Sequence, residues 1–314
     1  MKNENPKLRL IVAGVFLLFA TGPVFAAQAE HGIMVRVANI YLSPDSSSAK
    51  LAEVERGREV AIFEKSRDWL HVLASLNSER DVTGWILQKG VVTASTQNGD
   101  QILYGAAVDA ESEASRRHGR KGAAQDAMRL YARAAEYFPN SPLAGESLYR
   151  AADIKWQLDR EDVMSRPSAK MQEPFLREGM DEEQMRQVMK KFPRTKWADL
   201  AAFHLIENKL CGDWQGSSKC PEKEAELYEK YAREHPTSPS VPEALYDAAW
   251  RYSALIEIYK NENQQGKSDN SKSRTTRVAQ EIVQKYPQSD WGPRAQSLLY
   301  MVQQDIPTYG NNVE

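Results

Sequence analysis

One phrase occurs four times in this chain. It reads FPNSPLAGESLYRAAD from Phe138, FPRTKWADLAAFHLIE from Phe192, HPTSPSVPEALYDAAW from His235 and YPQSDWGPRAQSLLYM from Tyr286. Aligned on Pro139, Pro193, Pro236 and Pro287, a hydroxyl follows two positions later: Ser141, Thr195, Ser238 or Ser289. A Ser or Thr there can cap the free N–H groups of a helix start, worth about 1 kcal/mol. The proline stops any preceding helix from running through. Pro142 and Pro239 suit the first turn of the helix that follows. The phrase therefore predicts a corner between two helices.

The flanks carry the matching periodicity. Upstream, the residues eight positions before the proline are Tyr131, Met185, Tyr228 and Ala279, and those four before it are Ala135, Met189, Ala232 and Val283. These form a helical apolar stripe. Downstream, Ala144, Ala198, Val241 and Gly292, then Ser147, Ala201, Ala244 and Ala295, keep one face small for a close neighbour. Each copy is thus a helix pair that cannot bury both faces alone and must stack on others. The pattern resembles tetratricopeptide-like repeats of bacterial envelope proteins, such as the helical lipoprotein of the outer-membrane barrel-assembly machinery and the Tol–Pal-associated cell-division coordinator. That resemblance covers about 123–305 and implies a solenoid that docks a second envelope protein.

The prolines are spaced beyond the ~34 residues of a simple unit, so insertions are expected. They are SRPSAKMQEPFLREGMD, a loop between Cys211 and Cys220, and NENQQGKSDNSKS at 261–273. The last has no apolar residue and reads as a mobile loop. The cysteine pair, the only two in the chain, reads as a disulfide staple in an oxidising compartment.

Before the phrase begins, the pattern has period two. IMVRVANIYL, EVAIF and WLHVLA alternate β-branched and aromatic residues between turn signals at 43–48, Arg56-Gly57, 66–68 and Thr83-Gly84. Several short strands in so few residues suggest a small closed barrel. Asn39 with Pro44, Arg56-Gly57 with Val60, Asp68-Trp69 and Gly84-Trp85 fall in the order of the boxes of a bacterial SH3 (SH3b) domain, which this segment resembles. Tyr41, Leu42 and Ser43 depart from that family's usual first box. The resemblance implies a ligand groove at or near Tyr41, Trp69 and Trp85, taking peptidoglycan or an extended peptide.

The expected organisation is β + α. It comprises a signal peptide at 1–26, an SH3-like barrel at 31–95, a linker at 96–104, a helical solenoid at 105–306 and a tail at 307–314. Lys2, Lys7 and Arg9 precede the apolar run Leu10–Ala20, and Val24-Phe25-Ala26 offers a cleavage site. That run is shorter than the ~20 residues a membrane span needs, and no cysteine follows it for lipid attachment. The expected location is the periplasm.

The formal net charge of -2, with no basic stripe, argues against nucleic acid as a partner. No hydrolase, metalloprotease or nucleotide-binding motif is present, and the five histidines lack ligand spacing. His204 and His235 read as packed or surface imidazoles, and Asp181-Glu182-Glu183 as a solvated helix start. No catalytic residue, metal or cofactor is expected. The function expected is a non-catalytic envelope scaffold. The alternatives are a regulator of a wall hydrolase and an outer-membrane biogenesis factor.

Overall fold

The computed structural model describes residues 30–165, 180–212 and 214–310. The expected signal peptide and most of the first insertion lie outside these residues. The alternating segment forms seven strands: β1 (Glu30–Met34), β2 (Ala38–Tyr41), β3 (Lys50–Val54), β4 (Glu59–Ser66), β5 (Trp69–Asn77), β6 (Arg80–Leu87) and β7 (Val91–Thr93). They make one antiparallel sheet in the order β3-β2-β6-β5-β4-β1-β7. The inward-facing residues Met34, Ile40, Val54, Val60, Ile62, Leu70, Val72, Ala74 and Ile86 pack together. They come from β1 to β6, so this face of the sheet packs on itself.

Among the described residues, nine α-helices follow: α1 (Gly99–Ala114), α2 (Ala123–Tyr137), α3 (Ala144–Ser165), α4 (Glu183–Lys191), α5 (Lys196–His204), α6 (Lys219–Glu234), α7 (Val241–Asn261), α8 (Gln265–Lys285) and α9 (Trp291–Gln303). Each phrase joins a packed pair: α2 to α3, α4 to α5, α6 to α7 and α8 to α9. The four corners adopt one backbone geometry. Phe138, Phe192, His235 and Tyr286 end their helices at φ of -126°, -125°, -125° and -130°, each donating its N–H to the carbonyl four residues back.

The hydroxyls divide the work differently from a simple cap. Thr195 accepts from the Ala198 N–H as an N-cap. Ser141 and Ser238 instead accept from the N–H two residues on, and Ser289 donates to the Tyr286 carbonyl. The corner itself is held by backbone turns such as Ser141 N–H to Phe138 O and Ser238 N–H to His235 O. The stripe positions Tyr131, Met185, Tyr228 and Ala279 are buried, as are Ser147, Ala201, Ala244 and Ala295.

Two expectations are corrected. Most of the supposed linker at 96–104 is helix, because α1 begins at Gly99, a residue with no room for a side chain against the Phe138 ring. Leu103, in the second turn, is fully buried. The supposed loop at 261–273 is likewise mostly helix, the first turns of α8. Ser268, Ser271 and Thr275 form its buried face. Ser268 Oγ donates to the Ile256 carbonyl of α7, and Thr275 Oγ1 to the Ser271 carbonyl. Hydroxyls that satisfy themselves on backbone carbonyls make a close helix seam without apolar residues.

Sheet and helices share a core. Ile33 and Val92 pack with Leu103, Ala107, Leu130 and Tyr131 of α1 and α2. The Arg56-Gly57 turn lies against α2: a Cβ on Gly57, whose φ is +72°, would sit 2.6 Å from Arg129 Cβ. Arg129 Nε donates to the Arg56 carbonyl. The Tyr137 hydroxyl donates to Glu59 at 2.5 Å, and Arg133 pairs with the same carboxylate at 3.1 Å.

At the other end, Cys211 and Cys220 form the expected disulfide, with Cα atoms 6.1 Å apart. The loop it closes packs beside Glu224 of α6, which is 1% exposed. This carboxylate accepts from Cys211 N–H, Trp214 Nε1 and Arg251 Nε, the last at 2.8 Å. Trp214 packs at a tilt against the Trp250 and Tyr309 rings. The segment after α9 crosses α7 to reach this loop: Thr308 hydrogen-bonds Ser253, and the Tyr309 hydroxyl accepts from Gly216 N–H.

Two outcomes are expected from this packing. Gly57→Val adds about 1–3 kcal/mol of backbone strain at the seam. Because the core is shared, calorimetry of this variant will show a single transition moved down as a whole; a sheet peak shifting alone would contradict this. Glu224→Ala leaves the buried Arg251 guanidinium with Asp247 as its remaining carboxylate partner and strips the acceptor from Cys211 N–H and Trp214 Nε1, a loss of about 1–3 kcal/mol, read from the urea midpoint.

Candidate functional site

The alternation that buries Leu70 and Val72 of β5 turns Trp69 and His71 to the opposite, outer face. On β6 it turns Trp85 outward between Gly84 and Ile86, both buried. Register then assembles a row across four adjacent strands. His71 lies opposite Trp85, and Trp85 lies opposite Tyr41 of β2. The His71 and Trp85 rings are 4.9 Å apart and tilted by 30°. Tyr41 meets Trp69 edge-on at 5.6 Å. Phe63 of β4 reaches His71 at 6.2 Å and is 57% exposed.

All three residues singled out from the sequence, Tyr41, Trp69 and Trp85, are therefore in this row, and all are half-buried. Gly84 lets β2 come close: a Cβ there would sit 2.6 Å from the Tyr41 carbonyl oxygen. The Asn39 side-chain amide donates to the Tyr41 hydroxyl, which fixes the ring's direction. Two members were missed, His71 and Phe63. The signal for both was present, since His71 is two residues from Trp69, and inward Val60 and Ile62 leave Phe63 outward.

Such a row offers ring faces and edges. Aromatic rings held at 4.5–7 Å separation bury large apolar area while keeping polar tips wet. Their partners of choice are flat or extended: a sugar ring, or the side chains of a peptide. Exposed Leu42 and Leu87 extend the apolar surface at its margin.

The same outer face of β5 continues past His71 to Leu73 and Ser75, which line a cleft of about 610 Å³ between the sheet and α2. Its charged wall is Glu59, Arg133, Arg129 and Glu136. Burial opposes ionisation of Glu59, but the Tyr137 hydroxyl, Arg133 and His31 together outweigh it and hold the carboxyl below its usual range. The row and the cleft thus form one surface shared by the sheet and the helices.

Elsewhere the singled-out residues have structural partners. His204 pairs with Asp153 at 3.1 Å and His235 with Asp199 at 2.8 Å. Asp181 accepts from the Glu183 N–H at the start of α4. Among the described residues no group of three or more His, Cys, Asp or Glu could hold a metal ion, and no helix is long and apolar enough to cross a membrane.

Because its folded-state value is lowered, Glu59 contributes stability above the ordinary carboxylate range near ~4.3. That contribution disappears as pH falls through the lowered value. Urea midpoints of Glu59→Gln and wild type will accordingly differ at neutral pH and converge as pH falls below the ordinary carboxylate range through the lowered value. A constant gap across that window would refute the coupling.

No family model matches the chain, and no curated protein matches it. Among solved structures it is similar to the "DHF58 filament", at 14% identity and a TM-score of 0.23, over 65% of this chain and 91% of that one. It is also similar to the de novo designed helical repeat protein DHR64, at 15% identity and a TM-score of 0.23, over 66% of this chain and 94% of that one.

Proposed function

We propose that this is an exported, non-catalytic scaffold of the bacterial cell envelope. In this reading the sheet is an SH3b-like barrel whose aromatic row grips peptidoglycan or an extended peptide. The helical part is a tetratricopeptide-like solenoid that docks a second envelope protein. The observation that carries the reading is the row Tyr41–Trp69 with Trp85–His71–Phe63, laid across four strands and open to solvent. Rings held by their neighbours lose little freedom when a ligand arrives, so most of the contact energy survives as affinity. The four equivalent corners support the second half of the reading, because stacked helix pairs present long surfaces to protein partners.

The leader-like segment before the sheet and the disulfide both suit an oxidising, extracytoplasmic compartment. The shared core also changes how the assignment is tested. The two parts cannot be cut apart and assayed, so point variants on the intact chain are needed. Purified sacculi are expected to pellet the wild-type chain. The Tyr41→Ala/Trp69→Ala double variant, shown to be folded at the assay temperature by far-UV circular dichroism, should remain in the supernatant, at least about tenfold weaker in binding. Wild-type chain left in the supernatant would remove peptidoglycan as the ligand.

A further inference from the structure

A second cleft, of about 510 Å³, opens between α6, α7 and α8, far along the chain from the aromatic row. Its floor is apolar, with Val241, Leu245 and Ala232. Its rim carries Arg233, Arg274, Arg277 and Lys285 against Glu229 and Glu281. Arg274, Arg277 and Lys285 share one face of α8 with Glu281, since 274, 277, 281 and 285 step by three or four, and Lys285 pairs with Glu281 at 2.8 Å. From Arg274 to Lys285 that face runs roughly 16 Å, the length of about five extended residues.

The unusual member is Glu229. It is 9% exposed and accepts from three donors: the Tyr252 hydroxyl at 2.7 Å, Arg274 Nη2 at 2.9 Å and Arg277 Nη2 at 2.6 Å. Burial works against its charge, yet Tyr252, Arg277 and Arg274 together keep the carboxyl below its ordinary range. Each guanidinium gives a single nitrogen to Glu229. Nε and Nη1 of both have no partner among the described residues. Arg274 is also stacked 4.2 Å over the Tyr252 ring, while Arg277 is 57% exposed. Arg233, across the cleft on α6, is exposed and forms no ion pair among the described residues. A buried anion thus orients two planar cations whose remaining donors are unspent, a pre-ordered arrangement for carboxylates.

We infer that this cleft binds an acidic, extended segment of a partner protein, in which carboxylate side chains meet Arg274, Arg277 and Arg233 and an apolar side chain meets the Leu245 floor. This deepens the docking half of the proposed function and rests on it. A single anion would use only the two guanidiniums, whereas the length of the strip and its apolar floor fit a chain.

The test is fluorescence anisotropy of the full chain with a labelled peptide of about six residues alternating Glu and Leu. Binding should be salt-sensitive, and a Lys/Leu counterpart should not bind. Arg233→Glu, at an exposed position with no ion pair, should weaken binding by about tenfold or more with unchanged melting; Arg277→Glu should weaken it as much while also lowering the melt, because it removes a partner of the buried Glu229. Glu229→Gln separates orientation from bulk charge: a pre-oriented pair loses affinity, while a plain cationic patch gains it. Tighter binding by Glu229→Gln, equal binding by Arg277→Glu, or no binding of the Glu/Leu peptide overturns the inference. Competition by inorganic phosphate as strong as by unlabelled peptide would reduce the cleft to a single-anion site and overturn the peptide assignment. Photo-crosslinkers placed around the helical part in cells keep the two failures apart. Partner capture elsewhere on the helices, with a silent cleft, sinks the cleft alone; no capture at any position sinks docking itself.

Discussion

Two adjacent residues of β1, Ile33 and Met34, point to opposite faces and are both fully buried. Met34 belongs to the sheet's own interior and Ile33 to the core of α1, α2 and α3. A strand covered on both faces ties two bodies of packing into one. The Gly57 turn, the Arg129–Arg56 hydrogen bond and the Glu59 cluster all lie along this seam. Were β1 to slip by one residue, each side chain would change cores. The aromatic row, the adjoining cleft and the placing of α2 all depend on this register.

Much of this was readable from residue order. Strand alternation, the four corners and the buried stripe positions follow from short-range periodicity, and so does the outward direction of Tyr41, Trp69 and Trp85. What was not readable depended on tertiary partners. Gly99 and its polar neighbours look like a linker until Phe138 packs on them. Ser268, Ser271 and Thr275 look like a loop until a second helix supplies the carbonyl and the close face. Glu229 lies more than forty residues from Arg274 and Arg277, and the three carry no motif; only the packing of α6 on α7 and α7 on α8 brings them together.

Under the proposed function, the joined core alters the physics of binding at two sites. Flexibly tethered modules gain from effective concentration over a range of separations. Here the aromatic row and the cleft beside α2 are held at fixed distance and angle, because the seam between the sheet and α1–α3 is buried. A ligand pair is then favoured only when its own spacing matches. The chain would act as a gauge as much as a tether.

The segment after α9 has a consequence for how the molecule comes apart. Helices added in pairs open most easily from the last pair, which has a neighbour on one side only. Here Thr308 and Tyr309 reach back over α7 to Ser253, Trp214 and the disulfide loop. Asp305 also pairs with Lys272 of α8. Peeling α9 away therefore means undoing aromatic and polar contacts almost a hundred residues upstream in the sequence. The array's terminal helix pair is buttoned to its middle, so fraying at that end is coupled to the integrity of a covalent loop.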